Sequence, residues 1–444
     1  MSSEWDYIND EISTSEHTKD FSVQIMTANG IILLDNRNII QAYIIEDIYS
    51  FCMTGKIKFY DLQGIAEYGP FTGVERIQFI FGNQEEEGSF EKRVVFDIYK
   101  IQKATGSLGI ETESTPVFEL IFTEPLFKRL TQQRFSKAYN YNNILITDII
   151  QDILINICDL DEIELGDIEE SKTKLRNFYI PYWTPAQALK WLISRANGKE
   201  TGQPGYLLYQ NTKGQDVNTV KVNIVTLEKL FRKESIAPNI MYLFEDPNPY
   251  YRNKITSWKK EGLDQMSYKD IAGGQRIGFN SLQKKILRSN FSYKDAFDNR
   301  FTVLGNKTLF YDLSEDIFKK NETQTPINPT IIDYTGINND ERLEAFNYSK
   351  FIKRYSLQQS VSIIVPGYED RKAGDMIDIM WPTAVKDGTE VYNKNLSGNW
   401  LVKSVIWQYN PGSPPFTQKM VLLKNGYTRP DIDLYPATLK NTFA

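Results

Sequence analysis

The residue types able to carry acid–base, thiol or metal chemistry are few in this chain and poorly placed for it. One histidine, His17, is present. It lies in a polar arm, so a histidine general base and most zinc ligand sets are unavailable. The two cysteines, Cys52 and Cys158, stand far apart with no histidine in a structured stretch to activate them, and read as buried small hydrophobes. Their number excludes a disulfide framework and suits folding in a reducing compartment. Gly273-Gly274-Gln275-Arg276-Ile277-Gly278 lacks the spacing of a dinucleotide fingerprint, and no glycine run precedes Lys-Ser/Thr, so phosphate cradles are unsupported. Asp159, Asp161, Glu162, Glu164 and Asp167 offer alternating oxygen ligands of the kind calcium needs, but Gly166 comes too late for an EF-hand; the plain reading is a solvated acidic loop from Asp159 to Glu170. Tyr250, Tyr251, Arg252, Lys254, Trp258, Lys259 and Lys260 mix cations and rings as single-strand binders do, and equally as a lysine-guarded edge strand does. Asn290, Asn306, Asn321, Asn347 and Asn395 open Asn-x-Ser/Thr triplets that matter only in a secreted chain. Paired carboxylates for glycoside hydrolysis need only proximity in space, so 57 acidic residues argue neither way. No residue is assigned a catalytic, cofactor-binding or metal-binding role; the chain reads as a non-enzyme without a cofactor.

The elements are more legible than any chemistry. Phe178 to Gly198 carries its own start and stop. Thr184 is an N-cap, Pro185 suits the first helical position, and Gln187 completes a capping box. Leu189, Leu192, Ile193 and Ala196 form an apolar stripe widened by Trp191, and Asn197-Gly198 supplies residues tolerant of a left-handed ending. The plain reading is a core helix; the sharper one is a hinge or groove at a domain junction. Trp191 and Leu192 are expected to be buried, with Thr184 to Ala196 acting as a packing pivot after the first β-domain.

Before it, FSVQIM, IIQAYIIEDIY, TGKIKFYDL, VERIQFIFG, KRVVFDIYKIQ and VFELIFTE read as strands, several alternating, as Val94, Phe96 and Ile98 do against Asp97 and Tyr99. Asn29-Gly30, Gly69-Pro70 and Gly82-Asn83 mark turns between them. Ile146, Ile149, Ile150, Ile153 and Ile157 make a helical stripe ending near Cys158, and YLLYQ with Val220, Val222 and Ile224 read as strands of a small sheet. Late in the chain, Val361, Ile363 and Val365 alternate after Tyr355 and Leu357. Ile377, Ile379 and Trp381, then NWLVKSVIWQY and FTQKMVLLKNG, continue the pattern.

The expected architecture is mainly β with α+β character: two antiparallel β-barrel domains with an intervening α/β module. An acidic flexible arm covers 1–20, a first barrel 21–135, and the module 136–240 with helices near 146–158 and 184–197. An irregular, strand-containing region covers 241–345 with a long surface excursion at 312–345, followed by a second barrel at 346–427 and a tail at 428–444. With 444 residues, length allows roughly three domains. The 26 tyrosines and 25 phenylalanines tilt the chain toward sheet. A formal charge of −6 gives no global attraction to nucleic acid or anionic membrane. No run approaches the ~18 apolar residues of a membrane span, and the acidic start is unlike an export signal.

Three segments together resemble the baseplate hub proteins of contractile-tailed phages, a family that includes the late-control D proteins and the N-terminal part of type VI secretion spike proteins. The first is Ile45-Glu46-Asp47-Ile48 with Gly55-Lys56-Ile57-Lys58-Phe59-Tyr60-Asp61 and Gly73-Val74-Glu75-Arg76-Ile77; the second is the proline-flanked helix of Phe178 to Ala196. The third is Pro366-Gly367 with Ala373-Gly374-Asp375-Met376-Ile377, Trp381-Pro382 and Ser397-Gly398-Asn399-Trp400-Leu401-Val402. The resemblance implies a structural virion protein of the tail baseplate, assembled in the host bacterial cytoplasm. It implies a homotrimer whose two barrels per subunit form a six-fold-like ring between the hexameric tail tube and the trimeric central spike. Tail tube, spike, tape-measure and baseplate wedge proteins would be its partners, and DNA would pass the lumen without specific binding or membrane insertion. A mildly acidic lumen would let DNA slide, since fixed phosphate contacts are what retain it. The alternatives are a carbohydrate-binding or carbohydrate-hydrolysing tail protein, or the spike-base protein of a related injection system. No lysozyme-like or spike module is recognisable after residue 430, which assigns those functions to another chain.

Overall fold

A computed structural model describes residues 21–27, 30–62, 64–65, 72–83, 90–104, 116–140, 143–158, 164–202, 204–212, 220–241, 255, 257–261, 275–280, 285–290, 330–333, 360–366, 371–386, 389–392, 397–410 and 416–424.

The alternating runs of the N-terminal part form seven antiparallel strands: β1 (Phe21–Thr27), β2 (Gly30–Leu34), β3 (Ile39–Asp47), β4 (Thr54–Tyr60), β5 (Arg76–Asn83), β6 (Phe90–Ala104) and β7 (Val117–Thr123). Their spatial order is β3-β4-β7-β6-β5-β1-β2. Period-two patterning sends one set of side chains inward: Val94, Phe96 and Ile98 are buried, while Tyr99, at a bulge, is 63% exposed. Phe79, Phe96 and Phe122 close a ring cluster with centroids 4.7 to 6.0 Å apart. Burying each such ring contributes about 2–3 kcal/mol relative to exposure.

The period then changes. A helix at Leu126–Gln132 leads to β8 (Phe135–Tyr139) and β9 (Ile144–Leu145). The isoleucine stripe follows as a helix at Ile146–Asp152 that widens into a π-helical turn at Ile153–Ile157. Ile146, Ile149, Ile150 and Ile153 are fully buried, as is Cys158 after them. Next come β10 (Glu164–Ile168), β11 (Lys174–Leu175), β12 (Phe178–Trp183), the Pro185–Ile193 helix, β13 (Tyr206–Thr212), β14 (Val220–Thr226) and a short helix at Leu227–Phe231. β14 is central in a three-stranded sheet, parallel to β10 and antiparallel to β13. β8 with β12 and β9 with β11 make two short antiparallel pairs that follow one another along the same two segments, an interrupted ribbon.

The acidic loop needs correction here. Residues 159–163 lie outside the described part, but Glu164–Ile168 is a strand, and Glu169 is fully buried rather than solvated. Charge density hid the strand, because the acids are neutralised across it: Glu164 pairs with Lys221 and Asp167 with Lys233.

The remaining strands are β15 (Ser235–Met241), β16 (Ser257–Glu261), β17 (Gln275–Asn280), β18 (Lys285–Asn290), β19 (Thr330–Asp333), β20 (Ser360–Pro366), β21 (Met376–Met380), β22 (Pro382–Lys386), β23 (Thr389–Tyr392), β24 (Gly398–Tyr409) and β25 (Phe416–Leu423). β17, β18 and β19 form a separate antiparallel sheet, so the second half of the glycine-rich stretch is strand and so is part of the 312–345 excursion. β16, β20, β25 and β24 continue the large sheet, because β24 pairs with β3.

The chain is therefore mainly β with α+β character, but its two alternating regions share one thirteen-stranded sheet, and among the described residues no closed barrel forms. The reason lies in β24. A bulge between Val402 and Ser404 lets this twelve-residue strand serve two partners along one edge, β21 with Gly398 to Leu401 and β3 with Ser404 to Tyr409. One apolar cluster accordingly spans both regions, from Val23 through Phe122 to Trp407 and Leu422.

Candidate functional site

The most elaborate arrangement of polar side chains is a buried joint between the α/β module and the large sheet. It is organised by β13, all seven residues of which are buried. Tyr206 and Leu208 face the module core, while Leu207 and Tyr209 face a smaller cluster with Ile48, Ala373, Met376 and Leu401. The last three residues of the strand each bind a different part of the sheet. Gln210 accepts the Met53 N–H at 3.1 Å through Oε1 and donates from Nε2 to Glu124 Oε2 at 2.9 Å. Asn211 Nδ2 donates to the Ala373 carbonyl at 3.0 Å, and its Oδ1 accepts from Asn223 Nδ2 at 3.0 Å. The Thr212 hydroxyl donates to Glu46 Oε1 at 2.8 Å, while Glu46 Oε2 accepts the Ala373 N–H at 3.2 Å. Gly374, at φ +90°, passes so close to the Tyr209 hydroxyl that any side chain there would strike it.

Burial sets the electrostatics. Desolvation pushes the carboxyls of Glu124 and Asp375 up to about 7, against the opposing pull of Gln210 and the Leu126 N–H on the first and of Lys372 on the second. Asp375 Oδ2 accepts the Lys372 N–H at 3.1 Å. Burial also raises the Tyr209 hydroxyl, which has no hydrogen-bond partner among the described residues.

Inside the module a second carboxylate is held differently. Glu169 Oε1 accepts the hydroxyl and N–H of Thr201 at 2.8 and 3.3 Å, and Oε2 accepts the N–H and hydroxyl of Thr226 at 3.1 and 2.5 Å. Four donors satisfy the two buried carboxyl oxygens. Gly198 makes room for it, since a Cβ there would collide with Glu169 Oε1 and Thr201 Oγ1. The expected left-handed stop is thus not the role of Gly198: the helix ends at Ile193, with Ser194 in right-handed geometry.

The start of that helix is as the sequence specifies. Thr184 accepts the Gln187 N–H at 3.3 Å and Gln187 Oε1 accepts the Thr184 N–H at 3.1 Å. Leu192 is fully buried, but Trp191 is half-buried, stacked on Phe178 at 5.0 Å with the Arg195 guanidinium 4.3 Å from its ring centroid. The helix packs on those at Leu126–Gln132 and Ile146–Ile157, on β12 and on β13. The polar bridges to the sheet come from β13, and Val225, Leu227 and Leu230 add apolar ones.

The chemical candidates separate. His17 lies outside the described residues. Cys52 and Cys158 both enter the module core, where burial pushes the first thiol well above its ordinary value and the second up to about 12. Thiols so protonated are poor nucleophiles. Among the described residues no group of three or more His, Cys, Asp or Glu side chains is placed to hold a metal ion. Of the basic aromatic stretch, Trp258 to Lys260 belong to β16, which pairs with β20 and ends the sheet path, and Trp258 meets Trp381 edge-on at 4.8 Å. Sequence reasoning missed the joint. Its one local signal is that the apolar run YLLY continues into Gln-Asn-Thr without a glycine or proline.

No family model matches the chain, and no curated protein does. Solved structures do. A tail protein from Neisseria meningitidis aligns with a TM-score of 0.48 at 9% identity, over 91% of this chain and 96% of that one. A prophage tail protein from Shewanella oneidensis aligns at 0.46 and 10% identity, over 91% and 98%. An E. coli component of the type VI secretion system, itself described as similar in structure to bacteriophage T4 tail proteins, aligns at 0.42 and 10%, over 90% and 78%.

Proposed function

We propose that this chain is the central hub of a contractile-tail baseplate. In this reading it is a non-catalytic virion protein, a homotrimer joining the hexameric tail tube to the trimeric central spike. It is assembled in the host cytoplasm, has tape-measure and wedge proteins as further neighbours, and has a polar or acidic lumen through which DNA passes. The observation that carries the reading is the β3–β24 pairing. It sets two strand arrays side by side in one subunit, so three subunits present six arrays, as an adaptor between six-fold and three-fold partners requires.

The residues of the hub resemblance also converge on the joint. Glu46 of the first segment accepts the Ala373 N–H of the third, and within that third segment the Gly374 N–H donates to the Val402 carbonyl while the Asp375 carbonyl accepts the Val402 N–H. Light scattering on the purified chain, alone and with the tail-tube protein, tests the reading. A mass of three times 51.4 kDa with ring-shaped particles is expected, and a monomer that ignores the tube protein would overturn it.

A further inference from the structure

Two stretches of the module contain no acidic residue: Pro125 to Thr147 and Ser171 to Lys199 together hold ten lysines and arginines. Taking those ten from 51 leaves 41 basic against 57 acidic residues, a formal −16 for the rest of the chain. The fold lays the two stretches against each other, because β8 pairs with β12 and β9 with β11. Several module cations are matched locally, as in Lys137–Asp152 and Lys199–Glu170 among the ten and Lys221–Glu164, Lys229–Glu200 and Lys233–Asp167 outside them. Arg134, Lys174 and Arg176 are exposed and have no ion-pair partner among the described residues.

Between these cations the ribbon displays two large rings. Tyr179 is 58% and Tyr182 64% exposed. The strand across from them offers only small side chains: Ala138 is opposite Tyr179, and Ser136 Oγ accepts the Tyr182 N–H. The Arg134 guanidinium lies 5.8 Å from the Tyr182 ring centroid. Exposed tyrosine and arginine are the residue types enriched at interface centres.

We propose that this ribbon is the face with which one copy of the chain grips the net-acidic remainder of the next, in a head-to-tail contact repeated around the ring. The proposal rests on the trimer reading above and names the surface that would build it. Charge complementarity selects the second copy, since the chain outside the two basic stretches carries the −16 that would match them. Opposite signs on the two sides also fix direction, because ribbon against ribbon would repel. A heterologous contact of this kind closes when its rotation suits three copies.

The test is solution mass at near-physiological salt for wild type, for Arg134→Glu/Lys174→Glu/Arg176→Glu, for Tyr179→Ala/Tyr182→Ala, and for Lys128→Glu as an exposed module cation off the ribbon. Circular dichroism checks that each variant is folded. The charge-reversal variant is expected to fall threefold in mass, the tyrosine variant to need at least tenfold more protein to assemble, and Lys128→Glu to match wild type. A monomeric wild type would sink the trimer reading itself. A trimeric wild type whose charge-reversal variant stays trimeric would overturn the ribbon proposal alone. So would a trimer unaffected by the substitutions alongside a fluorescent single-stranded oligonucleotide that binds wild type and not the reversal variant, since the face would then serve nucleic acid.

Discussion

The large sheet and the α/β module are held together by different means. In the sheet, inward side chains such as Val94, Phe96, Ile57, Phe122, Val405 and Met420 make one apolar layer, and specificity comes from register and shape. In the module, and above all where it meets the sheet, buried polar groups choose partners one by one: Glu169 with Thr201 and Thr226, Gln210 with Met53 and Glu124, Thr212 with Glu46. Apolar layers tolerate exchange of similar shapes, whereas a polar joint tolerates almost none, because each lost partner leaves a desolvated group behind.

The largest test of this contrast is Leu192→Asp. It places a carboxylate in a fully buried module position, costing on the order of 5 kcal/mol or more, and should abolish soluble assembly. Unchanged trimers from this variant would show that the module core is peripheral. At the joint, Gln210→Ala strands the Met53 N–H and removes one of the two donors to Glu124 Oε2, for an expected loss of about 2 kcal/mol in urea unfolding. A loss below 0.5 kcal/mol, a change typical of surface sites, would place the adhesion of the two regions in their apolar contacts alone.

Proton linkage separates the regions without large structural change. Burial raises Glu124 and Asp375 to about 7, so the folded chain binds these protons more tightly than the unfolded one. Their stabilisation is full below about pH 4, the ordinary carboxylate value, and is lost as pH rises through 7. Asp152 and Asp167, which are lowered, act with the opposite sign only as pH falls below that range. Tm should therefore be higher at pH 5.5 than at pH 8, and Glu124→Gln with Asp375→Asn should flatten the slope. The smallest effect is Thr184→Ala, about 1 kcal/mol from the lost cap, visible as a lower urea midpoint with an unchanged slope.

Legibility in the sequence follows the same division. Strands β3 to β7, β20, β21, β24 and β25 can be read from alternation, and the Thr184 cap from three residues, because the cause of each is local. The merging of two expected barrels into one sheet was invisible, since it depends on a bulge at Val402 to Ser404 and a partner strand near the other end of the chain. β10 was hidden because its acids find lysines on β14 and beyond. The joint escaped for the reason that makes it specific: Gln210, Asn211 and Thr212 resemble the polar end of any strand until Met53, Glu46 and Ala373 are brought to them.

The β3–β24 seam also bears on how the protein is made. Asp47 and Ser404 are partners although 357 positions separate them. At roughly 5–20 residues per second of translation, β3 emerges about 20–70 seconds before its neighbour exists. During that interval its edge, rich in isoleucine, is a template for any other strand in the cell. The module, synthesised in between and closed by contacts among its own residues, can form while the seam waits. Nascent-chain crowding on a polysome, where several copies expose the same edge at once, would then be the stage at which this fold is most open to mispairing.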